Sequence, residues 1–135
     1  MNALEEGKEL QLDYQKLRKV SEGGQDVVPV VLQHAGTGDV MYLAYANEQA
    51  LRATLETRTA VLWSTSRNEL WHKGATSGDV LDLDEVRVNC EQNSLLYCVT
   101  PRAGVCHTVD GDGNTRSACY YRRLESDGRD LTFVE

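Results

Sequence analysis

Val80-Leu81-Asp82-Leu83-Asp84-Glu85-Val86-Arg87-Val88-Asn89-Cys90 alternates apolar and polar residues, and the alternation changes phase part-way along. Leu81 and Leu83 are apolar at odd positions, Val86 and Val88 at even ones. A period of two marks a strand with one buried face, and a one-residue change of phase marks a β-bulge, expected here near Asp84-Glu85. Continued past the bulge, the pattern puts Val86, Val88 and Cys90 on one face and Arg87, Asn89, Glu91 and Asn93 on the other. The next apolar run, residues 95–100, reads as a short buried strand that Pro101 ends.

Working outward, residues 27–33 and 40–45 are short apolar runs separated by Gly36-Thr37-Gly38-Asp39, the pattern of two strands joined by a turn. Asn47 is placed to cap a helix whose Ala50, Leu51, Thr54 and Leu55 share one face and which ends near Arg58. Residues 60–64 read as a third strand, which makes 80–90 the fourth. Leu4, Leu10, Leu12, Tyr14, Leu17 and Val20 lie among charges and predict a peripheral helix over 4–20, followed by a loop at 21–26. Strands outnumber helices. The expected fold is α+β, a compact β-rich single domain spanning 1–135 with few short helices.

Composition agrees with one globular domain. The chain has 135 residues, 41% hydrophobic and 26% charged, enough for a single core and unlike disordered or fibrous sequences. No apolar run approaches the roughly 18–20 residues that span a bilayer, so no membrane contact is expected. The start, Met1-Asn2-Ala3-Leu4-Glu5-Glu6, lacks the basic and apolar regions of a secretory signal, which predicts a cytoplasmic protein whose thiols stay reduced. A net charge of −7 argues against a nucleic-acid surface, which needs clustered cations. A phosphorylated small molecule needs only a local basic patch.

Of four cysteines, Cys90, Cys106 and Cys119 stand beside polar and acidic groups, and His107 follows Cys106 directly. Thiolates bind zinc tightly, and three protein ligands leave a fourth position for water, the arrangement of a catalytic centre. Cys98 lies in the apolar run and reads as a small buried hydrophobe. His34 and His72 read as structural histidines. The second chemical region, residues 63–78, holds Trp63, Ser64, Thr65, Ser66, Arg67, Trp71, Lys73, Gly74, Thr76, Ser77 and Gly78. Hydroxyls and glycine-flanked amides can surround a phosphate, and Arg67 and Lys73 add charge-assisted hydrogen bonds. The other reading of the same residues is a polar loop with Trp63 and Trp71 as core anchors.

The order of these residues resembles the phosphoribosyl-AMP cyclohydrolase family. Its pattern runs Trp-Ser-x-Ser-Arg, Leu-Trp-x-Lys-Gly-x-Thr-Ser-Gly, an acidic segment around a cysteine, Cys-His-Thr, then Ser-Cys-(Phe/Tyr)-Tyr-Arg. The blocks occur here in order, from Trp63 to Arg122, the last as Ser117-Ala118-Cys119-Tyr120-Tyr121-Arg122 with Ala118 between the serine and the cysteine, after a similar Leu43-Ala44-Tyr45-Ala46-Asn47, so the resemblance covers about residues 27–123. It implies the step of histidine biosynthesis in which water adds to C6 of the N1-ribosylated adenine of phosphoribosyl-AMP and the N1–C6 bond opens. It also implies a homodimer with zinc held by Cys90, Cys106 and Cys119 across the dimer interface. Zinc activates water at neutral pH, and attack at this carbon parallels that of zinc deaminases on adenine. His107 is then the candidate proton carrier, and Arg67, Lys73, Thr76 and Ser77, with Trp63, Ser64, Ser66, Trp71, Gly74 and Gly78 around them, are the candidate substrate-binding residues.

Two departures stand out. Where the family carries alternating aspartates credited with magnesium, this chain has Asn89, Cys90, Glu91, Gln92 and Asn93, so a magnesium site at Asn89, Glu91 and Asn93 is expected to be weakened or lost. Cys106 and Cys119 are also thirteen positions apart, wider than in short-form members, with residues 109–114 as the extra loop. A flexible loop absorbs such an insertion at little entropic cost. Its Asp110-x-Asp112-x-Asn114 start resembles an EF-hand, but Thr115 and Tyr121 stand where that loop needs Gly and Glu. Two other readings stay open: a zinc hydrolase acting on a different purine nucleotide, and a non-catalytic zinc-stabilised binding module. With only a short stretch after Arg123, no fused domain for the preceding pyrophosphohydrolase step is expected.

Overall fold

The computed structural model describes residues 2–134. Two short helices, α1 (Ala3–Glu6) and α2 (Lys16–Glu22), precede β1 (Val28–His34), β2 (Val40–Ala46) and α3 (Glu48–Thr57). Then follow β3 (Val61–Ser64), β4 (Glu69–His72), β5 (Leu81–Val88), β6 (Leu95–Pro101), β7 (Arg122–Leu124) and β8 (Leu131–Phe133). The result is a compact β-rich domain with few short helices.

A four-stranded sheet in the order β2-β1-β6-β5 carries the core. β1 and β6 run parallel and the two outer pairs antiparallel. On its inner face Val30 and Leu32 of β1 meet Tyr42, Ala44 and Ala46 of β2, Leu81 and Leu83 of β5, and Leu95, Tyr97 and Val99 of β6. Helix α3 and the β3–β4 hairpin close this face with Ala50, Ala60, Val61 and Leu62. Leu32, Leu62 and Leu81 are fully buried. Burial of each such side chain stabilises the fold by roughly 1.5–3 kcal/mol before the entropy of ordering is counted.

Several expectations hold. The register of β5 against β6 shifts between Leu83 and Glu85, the expected bulge. Asn47 caps α3 by accepting from the Ala50 amide at 2.9 Å, and Arg58 ends the helix in the left-handed region, φ 57°. Pro101 is the last residue of β6. His34 is structural, its Nδ1 accepting from the amides of Gly36 and Thr37 in the turn before β2.

Other expectations are corrected. The helix over 4–20 is two helices, because the chain between them pairs with the C-terminus: Leu10 N–H donates to Arg129 O, and Leu131 N–H donates to Lys8 O. β4 lies within the stretch read as a polar loop, and β7 and β8 were not foreseen. The alternation of β5 stops at Val88. The Asn89 side-chain carbonyl accepts from the amides of Asn93 and Ser94, and Gln92 adopts φ 55°, so residues 89–94 form a turn and not an extended edge. Cys98 is buried as expected but on the outer face, level with Gln33 and Glu85.

Candidate active site

At the end of the sheet where β2 begins lies a cavity of about 840 Å³, lined by Tyr42, residues 69–77, Arg67, Asp79, Val105, Cys106, His107, Thr115 and Cys119. The β3–β4 hairpin supplies one wall. Beyond β4 the chain from Lys73 to Asp79 folds into a tight loop, with Gly78 N–H donating to Gly74 O at 2.8 Å. Gly74 has φ 83°, and a Cβ there would lie 2.3 Å from the backbone of Asp79 and Val80, so only glycine fits. Lys73 is buried and donates to Asp79 O at 3.2 Å. Its ammonium is held below the usual lysine range by burial, an effect offset in part by Asp79, Cys119 and Cys106.

The opposite wall carries the thiols. Val105 and Cys106 N–H groups both donate to Arg116 O, and Cys119 N–H donates to Met41 O on the outer edge of β2. Cys106 is buried, with Sγ 3.1 Å from Thr108 Oγ1. Cys119 stands at the rim, yet surrounding protein pushes its thiol up to about 12, and neighbouring Cys106 adds to the rise by charge and by hydrogen bonding. Tyr42 lies beside both. Its phenol is raised by burial first, then by the negative charge of Cys119 and Cys106. Among the described residues the buried Tyr42 hydroxyl has no hydrogen-bond partner, and Tyr42 lines the cavity. A soft thiol pair next to an unpartnered hydroxyl donor, open to a cavity, suits a thiophilic metal such as zinc.

Cys90 does not join them. It sits in the β5–β6 turn, exposed, across the sheet from the edge that holds Cys119. With strands about 4.8 Å apart and about 3.3 Å per residue, the separation is on the order of 15–20 Å. Sulfurs sharing one zinc lie within about 4 Å of each other, since each Zn–S bond is about 2.3 Å. Accordingly, no group of three or more metal-binding side chains occurs among the described residues. At the turn itself, Asn89 Nδ2 donates to Asn93 Oδ1 at 2.6 Å and Asn93 Nδ2 donates to Glu91 Oε2 at 3.2 Å. The three side chains meet, but through hydrogen bonds that engage their oxygens.

The sequence model for phosphoribosyl-AMP cyclohydrolase matches residues 42–121, most of the chain and the whole of the cavity-forming segment from Tyr42 to Cys119. The chain belongs to the phosphoribosyl-AMP cyclohydrolase family. A phosphoribosyl-AMP cyclohydrolase of Archaeoglobus fulgidus is 46% identical over 101 residues, covering 75% of this chain and 88% of that protein. One from Haloarcula marismortui is 45% identical over 103 residues, 76% of this chain and 81% of that one. The histidine biosynthesis bifunctional protein HisIE of Thermus thermophilus is 43% identical over 108 residues, which cover 80% of this chain and 48% of that longer protein.

Of the substrate-binding candidates drawn from the cyclohydrolase pattern, Arg67, Trp71, Lys73, Gly74, Thr76 and Ser77 line the cavity, together with His107. Trp63, Ser64, Ser66 and Gly78 do not. Trp63 donates from Nε1 to Asn68 Oδ1, Ser64 Oγ accepts from Arg67 N–H and lies 3.4 Å from Ser66 Oγ, so these build the hairpin that presents Arg67. His72 lines the cavity while remaining exposed. Sequence reasoning assigned no role to Glu5, Tyr42, Asp79 or Arg116. For Tyr42 a signal existed, since it alternates in phase with the inward-facing Ala44 and Ala46. Residues 109–114 form a solvent turn closed by Asp110, whose carboxylate accepts from the amides of Asp112 and Asn114.

Proposed function

We propose that this chain hydrolyses the N1–C6 bond of the adenine ring of phosphoribosyl-AMP, a step of histidine biosynthesis, and that it does so with zinc. The observation that carries this is the convergence, in one cavity of a family member, of the Cys106–Cys119 pair, His107, and the Lys73–Ser77 loop. Zinc bound by the two thiolates supplies Lewis acidity and an activated water at neutral pH. The chain does the rest. Lys73 and Arg67 meet phosphate charge, Thr76 and Ser77 offer hydroxyls, and Trp71 offers an aromatic face to the base. His107 carries the proton to or from the ring nitrogens as the bond opens.

The remoteness of Cys90 supports a homodimer in which Cys90 of a second copy completes the metal site. The outer face of the four-stranded sheet, with Leu43 exposed and Val31, Tyr45 and Leu96 half-buried, offers an apolar surface for such pairing. Two thiols beside an open cavity favour an enzyme over a closed, purely structural zinc module. Magnesium at Asn89, Glu91 and Asn93 is proposed to be weak, with Glu91 as the single charged ligand. A reduced, cytoplasmic setting suits the free cysteines, and no helix among the described residues is long and apolar enough to cross a membrane.

The test is to incubate purified protein with phosphoribosyl-AMP, follow ring opening by ultraviolet absorbance, and measure bound metal and oligomeric state before and after chelation. Turnover, about one zinc per chain, and a dimer weakened by chelation are expected, because ligands drawn from two chains link metal to assembly. Full activity in a zinc-free preparation refutes the zinc reading, and no turnover by the metal-loaded dimer refutes the substrate.

A further inference from the structure

The N-terminal segment lies outside the span shared with the family model, yet through Glu5 it touches His107, a residue of the cavity wall. Helix α1 is held there by residues on either side of Cys119. The Arg116 guanidinium, 5% exposed, makes two bonds to the Glu6 carboxylate at 2.6 and 3.0 Å and lies 3.9 Å over the Tyr121 ring. Tyr121 Oη donates to Glu5 O at 2.7 Å, and Arg122 donates to the carbonyls of Leu4 and Gly7 at 2.9 Å each. So clamped, α1 projects the Glu5 carboxylate onto His107, where Oε2 meets Nε2.

We propose that Glu5 is a positioning residue that orients the His107 imidazole and selects its tautomer. A carboxylate accepts, so Nε2 carries a hydrogen in this contact; in the neutral form of the ring the lone pair is then on Nδ1, turned away from Glu5 and free for proton exchange with substrate. The same division of labour operates where a carboxylate holds a general-base histidine in its working tautomer. The side chain of His107 is 78% exposed even with this contact, so little else restrains the ring's rotamer. The inference rests on His107 being the proton carrier.

A double-mutant cycle tests both. Glu5→Ala should lower kcat by about 10- to 100-fold with KM within about twofold, a part of the roughly 100- to 10,000-fold that a general acid–base group contributes, while His107→Ala lowers kcat at least as far. In the His107→Ala background, Glu5→Ala should have no further effect. The backbone bond from Tyr121 to Glu5 O survives any side-chain change, so α1 stays docked, and Glu5→Gln, which keeps the side chain's length without its charge, gives a second reading. Unchanged kcat in both Glu5 variants, an equal loss in both backgrounds, or loss of bound zinc in Glu5→Ala each overturns the positioning role. Full activity of His107→Ala overturns instead the assignment of His107, and this inference with it.

Discussion

Replacing Lys73 by Met separates what the residue does for the substrate from what it does for the fold. Lys73 is 7% exposed, and its ammonium donates to the Asp79 carbonyl at 3.2 Å. Burial already holds its ammonium below the usual lysine range, so the folded chain bears a desolvation cost for this charge. Methionine has similar length, fills the space and carries no charge. A charge-assisted hydrogen bond contributes about 1.5–3 kcal/mol, and tenfold is about 1.4 kcal/mol, so kcat/KM should fall by about 10- to 150-fold if the ammonium meets a substrate phosphate. The melting temperature should stay the same or rise, since the desolvated cation is gone and a single carbonyl loses a partner. Steady-state kinetics and a thermal melt on the same preparation, with bound zinc measured alongside, decide it. A kcat/KM within twofold of the parent, or a fall of several degrees in melting temperature, would show that Lys73 ties the loop together and does not serve the substrate.

Three other outcomes are expected. Thr54→Val keeps the shape of a fully buried side chain but removes a hydroxyl that accepts from Val61 N–H at 2.9 Å and has the carbonyls of Ala50 and Val61, each at 2.9 Å, as acceptors for its one hydrogen; leaving the Val61 amide without this partner should cost about 1–3 kcal/mol, or about 4–10 °C in melting temperature, and an unchanged melt counts against that accounting. The Arg102 guanidinium holds the Asp82 carboxyl below the usual carboxylate range, so the pair's stabilisation is present above the unfolded aspartate value of about 3.9 and is lost as pH falls through the lower folded value. Melting temperature against pH should therefore drop less steeply below about pH 4 in Asp82→Asn, and parallel acid limbs would contradict this. Activity should depend on added magnesium more steeply in the double variant Asn89→Asp with Asn93→Asp than in the parent; equal titrations would mean that the amides already serve as adequate ligands.

What was legible in the sequence was local. The Asn47 cap and the bulge between Leu83 and Glu85 depend on residues within a few positions of each other, and both are readable as side-chain chemistry and change of phase. The turn at 89–94 was misread because a single side-chain carbonyl, that of Asn89, outcompetes strand continuation, and alternation alone does not register that competition. β4 was hidden because Glu69, Leu70, Trp71 and His72 form an outer hairpin strand without a clean apolar face. The N-terminal half-turns follow from pairing with Arg129 and Leu131, and the Glu5–His107 contact joins residues 102 positions apart. The cysteines and the Lys-Gly-x-Thr-Ser-Gly segment were visible as types; that two cysteines gather and the third stands across the sheet required the topology.

The crowding at position 74 also sets where this cavity can evolve. With Asp79 and Val80 2.3 Å from any added Cβ, every non-glycine allele must dismantle the loop before it can alter a contact. Ala75, Thr76 and Ser77 beside it are exposed and line the same cavity, so they can vary without that cost. A mutational library aimed at new nucleotide substrates should therefore hold residue 74 invariant and spend its diversity on the next three positions, where selection acts on recognition and is not filtered first through folding.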